Sequence, residues 1–174
     1  MGGPVILFDE QQIALRVEAL AHEIDRKIPS DFMILGLLKG SFVFIADLTR
    51  ALWRLNRHPE IEFMRLSSYG HGKTSSGEVH LLGDCPTDLT GRQVLLIDDI
   101  ADTGRSLAYA RALLEQRGVA KLWCGVLLDK PGRREVDVRI DFVGFAIDDV
   151  FVAGYGIDYA ERYRHLPYIT VVGE

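Results

Sequence analysis

The stretch from Val94 to Leu107 constrains the fold of this chain more than any other. It opens with four consecutive apolar residues, 94–97, a pattern typical of a strand buried on both faces of a parallel sheet. Two carboxylates, Asp98 and Asp99, follow that strand directly. Because an unpaired carboxylate is costly to bury, we expect a cation or sugar hydroxyl groups to satisfy this pair.

The residues after the acidic pair predict an anion site. A third carboxylate, Asp102, precedes a turn of small and hydroxyl residues, 103–106, that opens the next predicted helix. The first backbone N–H groups of a helix lack partners within the helix and bind anions well. Metal-facing acids beside a phosphate-facing turn indicate that the ligand is a phosphorylated sugar carrying Mg²⁺.

The other apolar segments predict one α/β domain over residues 1–174. Strands that alternate with helices favour a mainly parallel, twisted central sheet flanked by helices, with a small appended subdomain. The predicted strands are 4–7, 32–38, 60–66, 78–82, 94–97, 122–128, 142–145, 150–153 and 167–172, and the predicted helices are 9–28, 42–55 and 107–118.

Composition narrows the function classes. A net charge of −5 gives no support for nucleic-acid binding, which usually needs a basic stripe. No apolar run approaches membrane length and there is no secretory signal, so the sequence predicts a cytoplasmic protein without a membrane partner. Cys85 and Cys124 share no metal-ligand spacing with the histidines, and we expect two buried, reduced thiols.

Several polar segments follow predicted strands and are expected to meet. Lys39 and Gly40 follow one strand, the acids follow another, and Lys130 follows a third. Ligands of open α/β sheets bind at the carboxyl ends of the strands, so these residues are expected to share one rim. Either lysine alone is typical of a solvated loop, and only their convergence with the acids predicts a site.

A polar, glycine-rich segment at residues 67–77 interrupts the apolar pattern. Such a composition predicts a long mobile loop, either an active-site lid or a solvated hairpin tip.

Other protein classes also carry an acidic pair after an apolar strand. The phosphate-binding motif G-x-x-x-x-G-K-[ST] is absent from the sequence, which argues against a P-loop enzyme. A receiver domain would place its acidic pair near the N-terminus, whereas this pair lies past mid-chain. A purely structural role, with the acids paired to surface arginines, remains a further alternative.

The quoted residues also resemble a known family. Residues 97–107 are similar to the phosphoribosyl pyrophosphate signature of type I phosphoribosyltransferases. Residues 38–41 resemble the first loop of the hypoxanthine-guanine branch, and residues 68–70 resemble its flexible lid. The segments 141–145, 151–159 and 164–168 resemble the C-terminal hood of that branch. This sequence departs from the family at Ser106, Asp148 and Ala153, where Thr, Pro and Val are frequent.

The resemblance implies a fold and an activity. The fold would be that of a type I phosphoribosyltransferase, with a hood built from about residues 140–174 and possibly from the N-terminus. The activity would be Mg²⁺-dependent transfer of 5-phosphoribosyl from phosphoribosyl pyrophosphate to N9 of hypoxanthine, guanine or both. The products would be IMP or GMP and pyrophosphate, a purine salvage reaction. Relatives of this kind are homodimers or homotetramers.

The resemblance further assigns roles to single residues. Asp98 and Asp99 would engage the ribose hydroxyls, directly or through Mg²⁺, and Asp102 would exchange a proton at purine N7. Asp158 would assist at a second metal or at the purine 2-amino group. The other implied contacts are Thr103, Gly104, Arg105 and Ser106 to the 5-phosphate, Lys39, Gly40 and Arg164 to pyrophosphate, Lys130, Phe151 and Val152 to the purine, and Ser68 and Tyr69 in the lid. The resemblance also implies that the peptide bond between Lys39 and Gly40 can be cis.

Two alternative functions remain. A non-catalytic regulator that senses phosphoribosyl pyrophosphate often lacks the acid at position 102 and carries a basic surface. This chain has Asp102 and a net negative charge, and both observations argue against such a regulator. A phosphoribosyltransferase for another base is disfavoured by Lys130 together with residues 151–158. The pattern leaves hypoxanthine, guanine and xanthine unranked, because they differ at the purine 2-position.

Overall fold

The computed structural model describes residues 4–29, 31–68, 78–86 and 88–173. Within them, nine strands and three helices form an α/β fold. The strands are β1 (Val5–Phe8), β2 (Met33–Leu38), β3 (Glu60–Ser68), β4 (Val79–Leu82), β5 (Gln93–Ala101), β6 (Lys121–Asp129), β7 (Phe142–Ala146), β8 (Val152–Ala153) and β9 (Ile169–Val171). The helices are α1 (Glu10–Lys27), α2 (Phe42–Arg54) and α3 (Arg105–Gln116), and a short 3₁₀ helix spans Pro131–Arg133.

The central sheet has six strands in the order β4-β3-β2-β5-β6-β7. Every neighbouring pair is parallel except β3 and β4, which are antiparallel. The predicted mainly parallel sheet is therefore confirmed. Because β2, β5 and β6 are adjacent and parallel, their carboxyl ends lie at one edge of the sheet.

Two apolar layers cover the two faces of this sheet. Alternate residues of β2 point to opposite faces, since Ile34 packs in one cluster and Met33 and Leu35 pack in the other. The first cluster contains the buried faces of α1 and α2, and the second contains that of α3. The near-continuous apolar runs of β2 and β5 reflect this burial on both faces.

Local signals explain the boundaries of α1. The side chain of Asp9 accepts a hydrogen bond from the backbone N–H of Gln12 at 2.8 Å, and the side chain of Gln12 accepts one from the N–H of Asp9 at 2.9 Å. Together these two hydrogen bonds form a capping box at the start of the helix. The helix ends at Lys27, before Pro29, as expected from the restriction that proline places on the residue before it.

A smaller sheet joins the two ends of the chain. Strand β9 lies between β1 and β8 and is antiparallel to both. The hydroxyl of Thr170 donates to the backbone carbonyl of Val5 at 2.8 Å, which ties the C-terminal segment to the N-terminal one. Division of the chain into a single domain with a hood stays a prediction.

Two element boundaries differ from those predicted. Strand β5 continues through the acidic pair to Ala101, because its ladder with β6 extends as far as the pair Ala101 and Asp129. Helix α3 begins at Arg105 instead of position 107, since Gly104 adopts a left-handed conformation with φ of 88° and forms its N-cap.

Cys85 and Cys124 are both buried and form no disulfide, as predicted. In the described part of the chain, none of the helices is long and apolar enough to span a membrane.

Candidate active site

Three strand ends bring the predicted polar residues to one rim. Lys39 and Gly40 follow the last residue of β2, and Asp98 and Asp99 lie near the end of the adjacent β5. The backbone N–H of Lys130, just after β6, donates to the carbonyl of Ala101 at 2.9 Å. The shared rim that the strand pattern predicts is therefore confirmed, while the role of each residue stays a prediction.

A cavity of about 230 Å³ opens at the end of β5. Its polar lining consists of six residues implied by the phosphoribosyl pyrophosphate signature: Asp98, Asp99, Asp102, Thr103, Gly104 and Ser106. Arg105 is not part of this lining, and its guanidinium pairs with Glu135 at 2.6 Å. The cavity therefore combines acids with the start of α3, as the sequence pattern indicates.

The acidic pair has the electrostatics of a cation site. Burial raises the pKa of Asp98 well above its usual value, and the neighbouring charge of Asp99 raises it further. One oxygen of Asp98 accepts from the N–H of Asp99 at 2.8 Å, and one oxygen of Asp99 accepts from the N–H of Ile100 at 2.8 Å. Two adjacent carboxylates disfavour each other's ionisation, and a bound cation relieves that cost.

The acidic pair suits a Mg²⁺ ion that is bound by the protein and by a phosphate ligand together. Mg²⁺ typically takes one or two carboxylates from the protein and completes its shell with water and substrate phosphate oxygens. Among the described residues, no three His, Cys, Asp or Glu side chains come together as a complete metal site. Asp98 and Asp99 would hold the ion together with the substrate's own oxygens.

Gly40 lies directly against the carboxylate of Asp99. A Cβ atom at position 40 would overlap Oδ2 of Asp99 and would stand 2.6 Å from its Cγ. Gly156 approaches from the other side, where a Cβ would lie 2.7 Å from the carbonyl oxygen of Gly40. Absence of a side chain at both positions lets the C-terminal segment, the loop after β2 and the acidic pair meet.

The turn before α3 lines the cavity and is held by close contacts with the segment after β6. A Cβ at Gly104 would lie 2.7 Å from the carbonyl oxygen of Val136, so both this contact and the positive φ require glycine. The carbonyl of Thr103 accepts from the N–H groups of Glu135 and Val136 at 2.9 and 3.1 Å. The segment after β6 thereby fixes the turn from outside.

Asp102 stands at the cavity beside an arginine that the sequence reasoning did not single out. Nε of Arg133 donates to Oδ1 of Asp102 at 3.0 Å, and the same guanidinium lies 3.7 Å from Asp149. Arg133 belongs to the 3₁₀ helix that starts just after Lys130. A bond to one oxygen fixes the carboxylate and leaves the other oxygen available to a ligand.

The two cations expected at pyrophosphate meet at one carboxylate. Nζ of Lys39 is 3.0 Å from Oε2 of Glu161, and Nη2 of Arg164 is 3.7 Å from the same oxygen. The hydrogen bond and charge of Lys39 hold the pKa of Glu161 below its usual value. The structure thus brings Lys39 and Arg164 together across 125 residues of sequence.

Asp158 does not line the cavity that contains the acidic pair, and the cis peptide lies one bond before the one that the resemblance implies. Asp158 pairs with Arg164 at 3.2 Å and accepts from the N–H of Glu161 at 2.9 Å, and it is not part of the cavity with the acidic pair. The cis peptide bond joins Leu38 to Lys39, so the sequence expectation at the Lys39–Gly40 bond was one residue too late.

The residues expected at the purine lie beside the rim. Lys130 is 6% exposed, whereas the ring of Phe151 is 70% exposed, and Nζ of Lys130 stands 5.8 Å from the centre of that ring. Val152 is buried in β8 and pairs with Val171 of β9. The structure therefore places the ammonium group of Lys130 over the ring of the exposed residue Phe151.

Comparisons with known proteins agree with this geometry. The family model for the phosphoribosyl transferase domain matches residues 6–160. Hypoxanthine phosphoribosyltransferase of Escherichia coli (strain K12) is 44% identical over 170 residues, covering 96% of this chain and 94% of that protein. Hypoxanthine-guanine phosphoribosyltransferase of Bacillus subtilis (strain 168) is 42% identical, covering 96% and 92%. A crystal structure of a hypoxanthine phosphoribosyltransferase from Staphylococcus aureus superposes with a TM-score of 0.88 at 38% identity, covering 97% and 90%.

This chain belongs to the hypoxanthine-guanine branch of the phosphoribosyltransferase family. The family that the sequence resembles and the type I phosphoribosyltransferase fold are both confirmed.

The expected lid of this phosphoribosyltransferase lies largely outside the described residues. Tyr69 is not among them, and the backbone of Ser68 ends β3, where it pairs with Val79 of β4. Strand β3 pairs with β4 in antiparallel fashion, and the last pair joins the backbones of Ser68 and Val79.

Three charged residues around the site of this phosphoribosyltransferase were missed from the sequence. Arg133 follows Lys130 by three positions. This closeness to a predicted site residue was the only sequence feature that indicated a role at the site. Glu135 and Glu161 are exposed acids of a kind that usually faces solvent. Their partners lie 30 and 122 positions away, so only the folded structure reveals the ion pairs.

Proposed function

We propose that this phosphoribosyltransferase moves the 5-phosphoribosyl group of phosphoribosyl pyrophosphate to N9 of hypoxanthine, guanine or both. The observation that carries the proposal is the position of Lys130 and Phe151 next to the strand-end acids. The names of the E. coli and B. subtilis relatives support the same acceptors. The products are IMP or GMP and pyrophosphate, which makes the reaction one of purine salvage.

The base site selects an oxygen at purine position 6. The exposed ring of Phe151 offers a face for stacking, and the ammonium of Lys130 donates a hydrogen bond to a 6-oxo group. An amino group at that position donates as well, so a 6-aminopurine leaves the lysine without an acceptor. A site built around such a donor discriminates strongly against the wrong partner. The resemblance assigns Val152 to the edge of the base through its backbone groups, and Asp158 to the 2-amino group or a second metal.

The sugar donor occupies the cavity at the end of β5. Asp98 and Asp99 hold the ribose hydroxyls and Mg²⁺, and residues 103–106 hold the 5-phosphate at the start of α3. A Mg²⁺ ion held by Asp98 and Asp99 would supply positive charge that neutralises the pyrophosphate leaving group. The pyrophosphate is bound by Lys39, Gly40 and Arg164, on the side of the C-terminal segment.

Asp102 performs the proton chemistry at the base. Its carboxylate lies in the cavity and is fixed through one oxygen by Arg133. The second oxygen takes the proton from purine N7 while N9 attacks C1 of the sugar. Ser68 and Tyr69 belong to the lid that excludes water during this step.

The protein acts as a homodimer or homotetramer in the cytoplasm. A cavity of about 640 Å³ lined largely by apolar groups of α1, α2 and the C-terminal segment supports association with a second copy, and Phe42 at its border is 44% exposed. Two free, buried thiols fit a reducing compartment. Light scattering of the purified protein measures the assembly directly.

A panel of four bases tests the proposed reaction. The protein is incubated with phosphoribosyl pyrophosphate, Mg²⁺ and hypoxanthine, guanine, xanthine or adenine, and pyrophosphate release is followed. We expect release with hypoxanthine or guanine and essentially none with adenine. Equal rates with adenine would contradict the role of Lys130, and release with none of the bases would contradict the reaction itself. A rate that is highest with xanthine would establish the alternative acceptor.

A further inference from the structure

Glu161 places one oxygen atom against both cations of the pyrophosphate site. Oε2 of Glu161 is 3.0 Å from Nζ of Lys39 and 3.7 Å from Nη2 of Arg164. Bound pyrophosphate would present its oxygens to these same two groups. The carboxylate of Glu161 therefore pairs with the same two cations that pyrophosphate would bind.

A tight turn presents this carboxylate to the site. The N–H of Tyr159 donates to the carbonyl of Arg162 at 3.1 Å, and the N–H of Arg162 donates back to Tyr159 at 3.1 Å. The two residues between them, Ala160 and Glu161, have positive φ values of 51° and 62°. Residues with a side chain adopt this left-handed conformation rarely, so the turn keeps Glu161 in place at a conformational cost.

Further contacts fix the cations and the turn relative to each other. The N–H of Glu161 donates to Oδ2 of Asp158 at 2.9 Å, while Oδ1 of Asp158 pairs with Arg164 at 3.2 Å. Arg164 also donates to the carbonyl of Gly156 at 2.9 Å, and Gly156 packs on Gly40. The carboxylate of Glu161 is thus supplied by the same segment that supplies Arg164.

A stabilising role does not account for this arrangement. The side chains of Lys39 and Glu161 are 49% and 70% exposed, and ion pairs so exposed contribute little to stability. The positive φ at Glu161 works against stability as well. Lys39 and Arg164 are the cations expected to bind pyrophosphate. A carboxylate that pairs with both of them therefore acts mainly by lowering the affinity for pyrophosphate.

We propose that Glu161 is an internal competitor of pyrophosphate, which occupies Lys39 and Arg164 when the site is free and is displaced when pyrophosphate binds. Displacement lowers the affinity for pyrophosphate and speeds its release after transfer. The inference rests on the proposed function, because that function assigns pyrophosphate to these two cations.

Replacement of Glu161 by glutamine tests this competition. Glu161→Gln keeps the shape of the side chain and removes its charge, and a side chain that is 70% exposed contributes little to the stability of the fold. Titration calorimetry with inorganic pyrophosphate and Mg²⁺ at low ionic strength measures the Kd. We expect the Kd to fall about threefold to fivefold, the range that an exposed ion pair of this kind supports. The KM for phosphoribosyl pyrophosphate should fall in parallel.

Two controls separate competition from a general charge effect. Glu115→Gln removes an acid that is 60% exposed and pairs with Arg111 at the far end of α3, and it should leave the Kd unchanged. In a Lys39→Gln background, Glu161→Gln should change the Kd by less than in the wild type. At about 0.5 M salt the difference between wild type and Glu161→Gln should shrink, because exposed charges are screened.

The possible failures are distinguishable. A Kd that is unchanged or higher in Glu161→Gln, with pyrophosphate bound by the wild type, would overturn the role of Glu161 alone. Absence of pyrophosphate binding by the wild type, together with absence of release in the four-base panel, would overturn the proposed function and the inference with it. An equal decrease of the Kd in Glu115→Gln would show that only net charge matters and would also overturn the inference.

Discussion

Replacement of Gly40 by alanine should disable the site without unfolding the protein. The new Cβ would overlap Oδ2 of Asp99 and lie 2.6 Å from its Cγ, whereas ordinary contacts begin at 3.4 Å. The loop has no room to retreat, because Gly156 already packs on the carbonyl oxygen of Gly40. The carboxylate of Asp99 must therefore move by close to an ångström.

A displacement of this size has a large kinetic effect. Misplacement of a reacting group by about 1 Å costs about 100-fold in rate, so kcat/KM for hypoxanthine and phosphoribosyl pyrophosphate should fall by about that factor. Backbone strain contributes nothing to the expected loss, since the φ of Gly40 lies outside the left-handed region.

A matched substitution provides the control for Gly40→Ala. Gly132 lies on the rim after β6, and a Cβ there would meet no atom within 4 Å. Gly132→Ala should retain wild-type kcat/KM, and both variants should show cooperative thermal unfolding by circular dichroism. Wild-type kcat/KM in Gly40→Ala would refute the argument that the loop positions Asp99.

Two further substitutions test the base site and the C-terminal segment. Lys130→Ala should lower kcat/KM for hypoxanthine and guanine by about 10-fold to 100-fold, the value of a charged hydrogen bond, and equal losses with adenine would argue against recognition of the 6-oxo group. Tyr155→Phe should remove a 2.6 Å hydrogen bond to Asp47 and lower the free energy of unfolding by about 1 kcal/mol. Burial, reinforced by this bond, raises the pKa of Tyr155 above its unfolded value of about 10. The raised pKa stabilises the fold below about pH 10, and this contribution is lost as the pH rises further. Denaturant titrations from pH 8 to 11 should therefore show a steeper decline above about pH 10 in the wild type than in Tyr155→Phe, and parallel curves would contradict the assignment.

The layered core was predictable because its pattern is local. Apolar runs such as residues 94–97 indicate strands buried on both faces, and the spacing of three and four in α1 indicates one packed face. The rim of the site followed from the same pattern, since parallel strands align their carboxyl ends. Residue order along the chain therefore sufficed to bring Lys39, the acids and Lys130 together.

Features that depend on distant neighbours were not predictable. Strand β5 continues through Asp98 and Asp99 because β6 continues to pair with it, although charged residues normally indicate the end of a buried strand. The need for glycine at position 40 arises from packing on Asp99, 59 residues away, and the need at position 156 arises from packing on Gly40, 116 residues away. Sequence patterns within one segment carry no information about such contacts.

The charge pairs around the site illustrate the same limit. The sequence indicates that Lys39 and Arg105 are cations free to bind a ligand, and it gives Arg133 no role. In the fold each faces a carboxylate, those of Glu161, Glu135 and Asp102. These three cations are therefore already paired with carboxylates before an anionic substrate binds.

The most direct test separates the role of Asp102 from the role of Asp98 and Asp99 at the end of β5. Asp102→Asn keeps the shape of the side chain while it removes the group assigned to the purine proton, and leaves Asp98 and Asp99 to hold the sugar donor. Turnover of hypoxanthine and the Kd for phosphoribosyl pyrophosphate are measured on the same preparation. The account predicts a loss of turnover of about 100-fold to 10,000-fold with a Kd within a few-fold of wild type. Unchanged turnover would contradict it.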